Sequence, residues 1–206
     1  MIHNPATWRD AFPDQMIPEI MELVLVSWES LSKPDSSEHE EQINIRFVKH
    51  MQRQKRHLFD NPRFNVYPEH AIHDSEDKVL GRIDIFFQSG WKEEIYFAFE
   101  CKRLRIHLGP SKVDTNITKY ADKGIKRFLT EQYSKDLPSG GMIGYVLDGN
   151  ILEARKTLNK HVQNNKDKLM IMAGLQPAQF FPSRIDETQH RIGQRPFSLY
   201  HLLLGC

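Results

Sequence analysis

Two apolar runs separated by a turn constrain this chain more than any other feature. Arg82-Ile83-Asp84-Ile85-Phe86-Phe87 is followed, after Gln88-Ser89-Gly90, by Ile95-Tyr96-Phe97-Ala98-Phe99-Glu100-Cys101-Lys102. Both are aromatic and β-branched, and a glycine-bearing break lies between them, which predicts two strands over 79–87 and 95–102. Alternation puts Ile95, Phe97, Phe99 and Cys101 on one face of the second strand. Tyr96, Ala98, Glu100 and Lys102 fall on the other. Arg82, Asp84 and Phe86 share a face of the first. If the two strands pair as a hairpin, Asp84 lies beside Glu100.

Two carboxylates brought together repel, and one keeps its proton unless a cation neutralises them. A hard divalent ion such as Mg²⁺, or Mn²⁺ in its place, is the usual partner of oxygen donors. A lysine alongside can orient or deprotonate an attacking water and offset charge on a phosphoryl oxygen. Together these groups suit metal-assisted hydrolysis of a phosphodiester. The bland alternative is an ordinary hairpin with a partly exposed ion pair, which contributes little.

Asp84 followed by Glu100-Cys101-Lys102 resembles the PD-(D/E)xK nuclease superfamily, with Ile83 standing where the family name has proline. The resemblance implies a restriction endonuclease-like core of α/β (α+β) type, a small mixed β-sheet flanked by helices in three layers. It implies that Asp84 and Glu100 hold the metal, that the backbone carbonyl of Cys101 is a further ligand, and that Lys102 activates the water. In this superfamily a glutamate on the helix before the sheet often reaches the metal. Glu40, which shares a helix face with Ile43 and Phe47, is the first candidate and Glu41 the second. Tyr120, Gly124 to Phe128 and Tyr133 also form a pattern similar to small bacterial members. The matching core covers roughly 38–147, with a helical N-terminal lead-in and a C-terminal elaboration around it in a single domain.

The 206 residues are 39% hydrophobic and 27% charged, enough for one compact domain with a sizeable core. A net charge of +1 excludes a global polycation, so any nucleic-acid surface must be a local basic patch. Two cysteines build neither a disulfide framework nor a zinc site. No secretion signal opens the sequence and no apolar run is long enough for a membrane span. The default expectation is a reducing, cytoplasmic setting.

In chain order, residues 1–14 read as a lead-in. A helix is predicted over 17–31, with Ile20, Val24 and Trp28 on one face. A second runs from a Ser36 or Ser37 cap to about Arg56, acidic in its first turn. Its Lys49, Arg53 and Arg56 recur at helical spacing, as on a solvated face or along a phosphate backbone. A short strand covers 64–68, and His70 and His73 read as loop histidines. Arg103, Arg105, His107 and Lys112 form a basic loop leaving the acidic pair, which makes Arg103, Arg105 and Lys112 candidate nucleic-acid contacts. Residues 114–133 read as one helix, with Lys123 and Lys126 on a basic line that either faces water or touches substrate. A strand over 142–147, a helix over 151–163 and strands near 169–173 and 197–204 complete the chain. A polar stretch of 182–194 carries His190 and Arg191 as further DNA contacts, while His201 reads as a satisfied core histidine.

The expected function is therefore a Mg²⁺-dependent nuclease acting on DNA, with RNA as another possible substrate, as in restriction, repair or phage defence. A chain of this size would work as a homodimer or with a partner protein. The alternative is a non-catalytic nucleic-acid-binding or structural subunit that keeps the fold. Intact Asp84, Glu100 and Lys102 favour the enzyme.

Overall fold

The computed structural model describes residues 16–73, 76–89, 96–109, 112–179, 181 and 184–206. The lead-in expected over 1–14 and Ile95, at the head of the second strand, lie outside the described residues.

Two helices come first, α1 (Met16–Ser30) and α2 (Glu40–Leu58). Strands β1 (Phe64–His73), β2 (Val79–Ser89), β3 (Tyr96–Gly109) and β4 (Lys112–Thr115) follow. A composite helical segment comes next: α3 (Ile117–Lys119), a π-helix (Tyr120–Ile125) and α4 (Lys126–Leu129). Then come β5 (Ser139–Val146), α5 (Ile151–Asn164), β6 (Ile171–Pro177), β7 (Ile185–Ile192) and β8 (Arg195–Gly205). The strands form one open eight-stranded mixed sheet in the order β1-β2-β3-β5-β8-β7-β6, with β4 hydrogen-bonded to β3. The β3–β5 and β5–β8 pairs are parallel and the others antiparallel.

Helices cover both faces, so the central strands read as apolar runs instead of alternating ones. On one face, α1 and α2 bury Ile20, Val24, Trp28, Ile43 and Phe47 against Phe87, Phe97, Phe99, Cys101 and Tyr145. On the other, the π-helix, α4 and α5 bury Tyr120, Ile125, Phe128 and Leu158 against Ile83, Ala98, Met142 and Leu199. Each such side chain, fully removed from water, contributes roughly 1.5–3 kcal/mol. Trp28 stacks on Tyr145 at 5.3 Å and donates its indole N–H to the Gly205 carbonyl at 2.8 Å, tying α1 to the end of β8. Gly141 in β5 is demanded by packing, since a Cβ there would lie 2.3 Å from the Phe99 ring.

Several elements differ from the sequence expectation. The basic loop after Lys102 is strand, because β3 runs on to Gly109 and β4 folds back on it. The helix expected over 114–133 starts with β4, turns helical at Ile117 and ends at Leu129. The His70–His73 loop is the end of β1. The N-cap of α2 is His39, beyond both serines. The polar 182–194 stretch contains β7, whose Asp186, Glu187, Thr188 and His190 are buried. No apolar alternation marks this strand. His190 has no exposed surface and is not a DNA contact in this arrangement. Strands β6 to β8 extend the same sheet, and β8 pairs with β5 from Ser139↔Ser198 to Val146↔Gly205. Among the described residues no helix is long and apolar enough to cross a membrane.

Candidate active site in a split of the sheet

The site forms where β2 and β3 part. Their ladder runs from Gln88↔Tyr96 to Ile85↔Phe99 and stops. The next residues in register, Asp84 and Glu100, do not pair. From here to Arg103 β3 keeps only its parallel partner β5 on the other side, and β4 joins it from Arg105 onward. The Cys101 N–H on the β2 side therefore has no carbonyl to meet, and a buried N–H must find an acceptor. Asp84 Oδ2 accepts it at 2.6 Å. The β1–β2 ladder is also interrupted here: Pro68↔Ile85 and His70↔Ile83 pair, Glu69 and Asp84 do not, and Glu69 has φ +52°. The side chains of β2 change phase at this kink. Ile83 and Phe86 both belong to the core under the π-helix, and Ile85 and Phe87 to the core under α1 and α2. The face expected to be shared by Arg82, Asp84 and Phe86 is not continuous.

Lys102 stands in the opening. Its ammonium is 2.7 Å from Glu40 Oε1, 2.7 Å from Glu100 Oε1 and 3.8 Å from Asp84 Oδ2, and it donates to the Cys101 carbonyl at 2.6 Å. Three carboxylates thus share one cation. Glu40 reaches from the first turn of α2, and its second oxygen accepts the Arg103 backbone N–H at 2.9 Å. Glu41, the second candidate, is solvent-exposed. Glu100 has no exposed surface. Its Oε1 has the ammonium as an ionic neighbour but no aligned hydrogen-bond donor. Its Oε2 accepts from Arg127 Nη1 at 2.7 Å.

The charges follow from this crowding. Burial first, and the Glu100 carboxylate second, push the Asp84 carboxyl well above its ordinary pKa, against the pull of Lys102 and the Cys101 N–H. Burial alone would lower the Lys102 pKa, but Glu100, Asp84 and Glu40 outweigh it and hold the ammonium charged. Both directions have one cause: carboxylates crowded around Lys102 in a largely buried space. Glu69 adds to it. Its carboxyl is raised by burial, and Asn44 donates to it at 3.3 Å.

A cleft of about 410 Å³ opens onto Glu40 and Lys102, and His39, Arg103, Asn116 and Lys119 also line it. Arg103 donates to the Glu38 carbonyl at 2.5 Å and so lies along this wall. The other candidate cations are dispersed. Arg105 is buried against Asp148, with Nη2 and Oδ2 2.7 Å apart, away from the acids. Lys112 and Lys123 are exposed on β4 and the π-helix. Lys126 sits 3.7 Å from Asp122.

The sequence pattern includes Arg127 and Tyr133 but assigns them no role at the site, and Glu69 is not in it. Arg127 lies beside the line of Lys119, Lys123 and Lys126 in the sequence. Its reach to Glu100 depends on the π-helix, which carries no simple sequence signal. Among the described residues no group of three or more His, Cys, Asp or Glu is set to hold a metal ion directly. The geometry gives a reason: the Lys102 ammonium sits among the carboxylates that would otherwise face a common cation. Comparison of the chain with protein-family models, curated proteins and solved structures returns no match.

Proposed function

We propose that this protein is a metal-dependent nuclease that hydrolyses phosphodiester bonds, with DNA as the first substrate to test. The observation that carries the reading is the convergence of Asp84, Glu100 and Glu40, from three separate elements, on Lys102 in a break of the sheet. A structural ion pair needs one acid for one base. Here three acids meet two bases, Lys102 and Arg127, and Asp84 and Glu100 are buried, an arrangement that costs stability without a further compensating cation and is common where chemistry is done.

The donor set fits a hard divalent cation. It offers carboxylate oxygens and a peptide carbonyl, with no sulfur or imidazole, as Mg²⁺ or Mn²⁺ prefers. The buried Glu100 Oε1, with the Lys102 ammonium 2.7 Å away but no aligned hydrogen-bond donor, is the oxygen such an ion would share with Lys102. Asp84, Glu100 and the Cys101 carbonyl are the residues that would hold it. When bound, the ion would supply charge stabilisation at the reacting phosphate and acidify the attacking water.

The remaining work falls to side chains. Lys102, held by Glu40, is the group that can orient the attacking water and offset charge developing on a phosphoryl oxygen. Arg103 and Lys119 line the adjoining cleft and supply cations for the flanking phosphates.

The test is cleavage of supercoiled plasmid, linear duplex, single-stranded DNA and RNA, with Mg²⁺, Mn²⁺ or chelator. Wild type is compared with Asp84→Ala, Glu100→Gln and Lys102→Ala. Metal-dependent cutting lost in all three variants supports the reading. Cutting that survives them refutes the site. Nucleic-acid binding that ignores metal, with no cutting, replaces the enzyme by a non-catalytic binding subunit.

A further inference from the structure

Each oxygen of the Glu100 carboxylate has its own cation. Lys102 lies 2.7 Å from Oε1, and Arg127 Nη1 donates to Oε2 at 2.7 Å. The same Nη1 donates to the Tyr133 hydroxyl at 2.6 Å, and that hydroxyl donates to the Arg82 carbonyl. Arg82 is two residues before Asp84 on β2. A hydrogen-bonded chain therefore runs from the β2 backbone, through Tyr133 and Arg127, to the carboxylate on β3. It bridges the two strands where their own ladder has ended at Ile85↔Phe99.

Two features set this apart from an ordinary ion pair. Glu100 is fully buried, so the contact is not a rim pair in water. And Arg127, in α4, directly follows the π-helix, a rare element that recurs at functional sites. A π-turn holds more residues than an α-turn, so residues after Ile125 are rotated relative to a continuous α-helix. Gly124, within the turn, lets it settle on the strand beneath. A Cβ there would be 2.4 Å from Met142 Cε and 3.5 Å from Glu100 Cγ.

We propose that Arg127, braced by Tyr133, is a positioning residue that locks the Glu100 carboxylate by Oε2 and leaves Oε1 turned to the cation of the site. This rests on the metal-dependent nuclease reading and extends it to residues on the opposite face of the sheet from Glu40. Arg127 acts through Glu100, as hydrogen-bonded partners of metal ligands do.

Charge and position oppose each other in the simplest variant. Deleting the guanidinium deepens the negative potential at the carboxylates, which favours a divalent ion, while it frees Glu100 to move, which disfavours one. Arg127→Lys keeps the charge and removes the two-way donor. Tyr133→Phe keeps Arg127 and removes its brace. Both therefore read position with the charge held constant.

The experiment is Mn²⁺ binding to the full chain without nucleic acid, by titration calorimetry, alongside circular dichroism to confirm folding. Arg127→Lys is expected to weaken Mn²⁺ binding by about tenfold or more, and Tyr133→Phe to weaken it less, in the same direction. In cleavage assays kcat falls with KM for DNA unchanged. Folded variants that bind Mn²⁺ as wild type does overturn the positioning role alone. A wild type that binds no Mn²⁺ overturns the metal-dependent reading and this role with it. If Arg127→Lys does not fold, Tyr133→Phe decides, because its ring keeps its edge contact with Phe128 at 5.7 Å between centroids.

Discussion

Replacing Lys102 with methionine tests the central feature of the site without reference to its chemistry. Methionine keeps the apolar stem and deletes the ammonium. The ammonium has close contacts with Glu40 and Glu100 at 2.7 Å each and a longer one with Asp84 at 3.8 Å. The Lys102 side chain is only 13% exposed and Glu100 not at all, so water can do little to replace it. Removing one partner of a buried ion pair costs about 3–5 kcal/mol because it leaves uncompensated charge. For a chain of this size each kcal/mol is worth roughly 2–4 °C in Tm, so Lys102→Met should melt roughly 6–20 °C lower in chelator. A divalent ion restores the missing charge, and by mass action it stabilises only what it binds. Millimolar Mg²⁺ or Ca²⁺ should therefore raise the Tm of Lys102→Met by more than it raises that of wild type. Thermal unfolding followed by circular dichroism, with chelator and with each ion, reads both effects. A variant that melts with wild type in chelator shows that the carboxylates are not held by this lysine. One that melts lower but gains no more than wild type from the ion shows that they do not form a cation site.

Three further outcomes follow from separate parts of the structure. Glu40→Ala should lower metal-dependent cutting roughly 10–100-fold through the loss of its hold on Lys102, while Glu41→Ala, at an exposed position, leaves the rate unchanged. Equal effects of the two in the plasmid assay would contradict the geometry. Arg105→Met should destabilise the fold by about 3–5 kcal/mol by stranding Asp148, and adding Asp148→Asn should recover much of that loss in urea unfolding. If instead Arg105→Met weakens DNA binding and leaves stability intact, Arg105 is a substrate contact. Acid should unfold the protein in part through the buried histidines. Burial first and then His190 push His201 down to about 3. Below its ordinary pKa of about 6.5 the unfolded chain takes a proton that the folded chain refuses, so stability falls as pH drops, by roughly 2–3 kcal/mol from this residue at pH 4.5. Tyr120 and Thr188 face the ring, and Asp186 is its cross-strand neighbour but is held by Arg155. His201→Gln should flatten the slope of stability against pH between 6.5 and 4.5, and an unchanged slope would assign acid sensitivity to other groups.

What could be read from the sequence was whatever depends on near neighbours along the chain. Alternation in residues 96–102 separates Phe97, Phe99 and Cys101 from Ala98 and Glu100, and the two cores divide them in the same way. The stripe of Ile43 and Phe47 on α2 carries Glu40 with it to the sheet. Residues 112–129 were not legible in this way, because their apolar spacing suits an α-helix while β4 and a π-helix are formed. Nor was β7, whose buried polar residues are satisfied by partners remote in sequence: Asp186 by Arg155, and His190 by the Leu169 carbonyl and Thr188. The break between β2 and β3 is of the same kind. The hairpin pattern predicts Asp84 paired across from Glu100, yet the ladder ends one residue earlier, and Asp84 takes a backbone N–H while Glu100 takes Arg127. Local pattern determined which strands and helices carry the acids and the lysine. Tertiary structure alone decided that three acids share one ammonium and that an arginine on the far face holds one of them. The Arg127–Glu100 and Lys102–Glu40 contacts join residues 27 and 62 positions apart, and their cost or gain depends on burial that no short stretch of sequence contains.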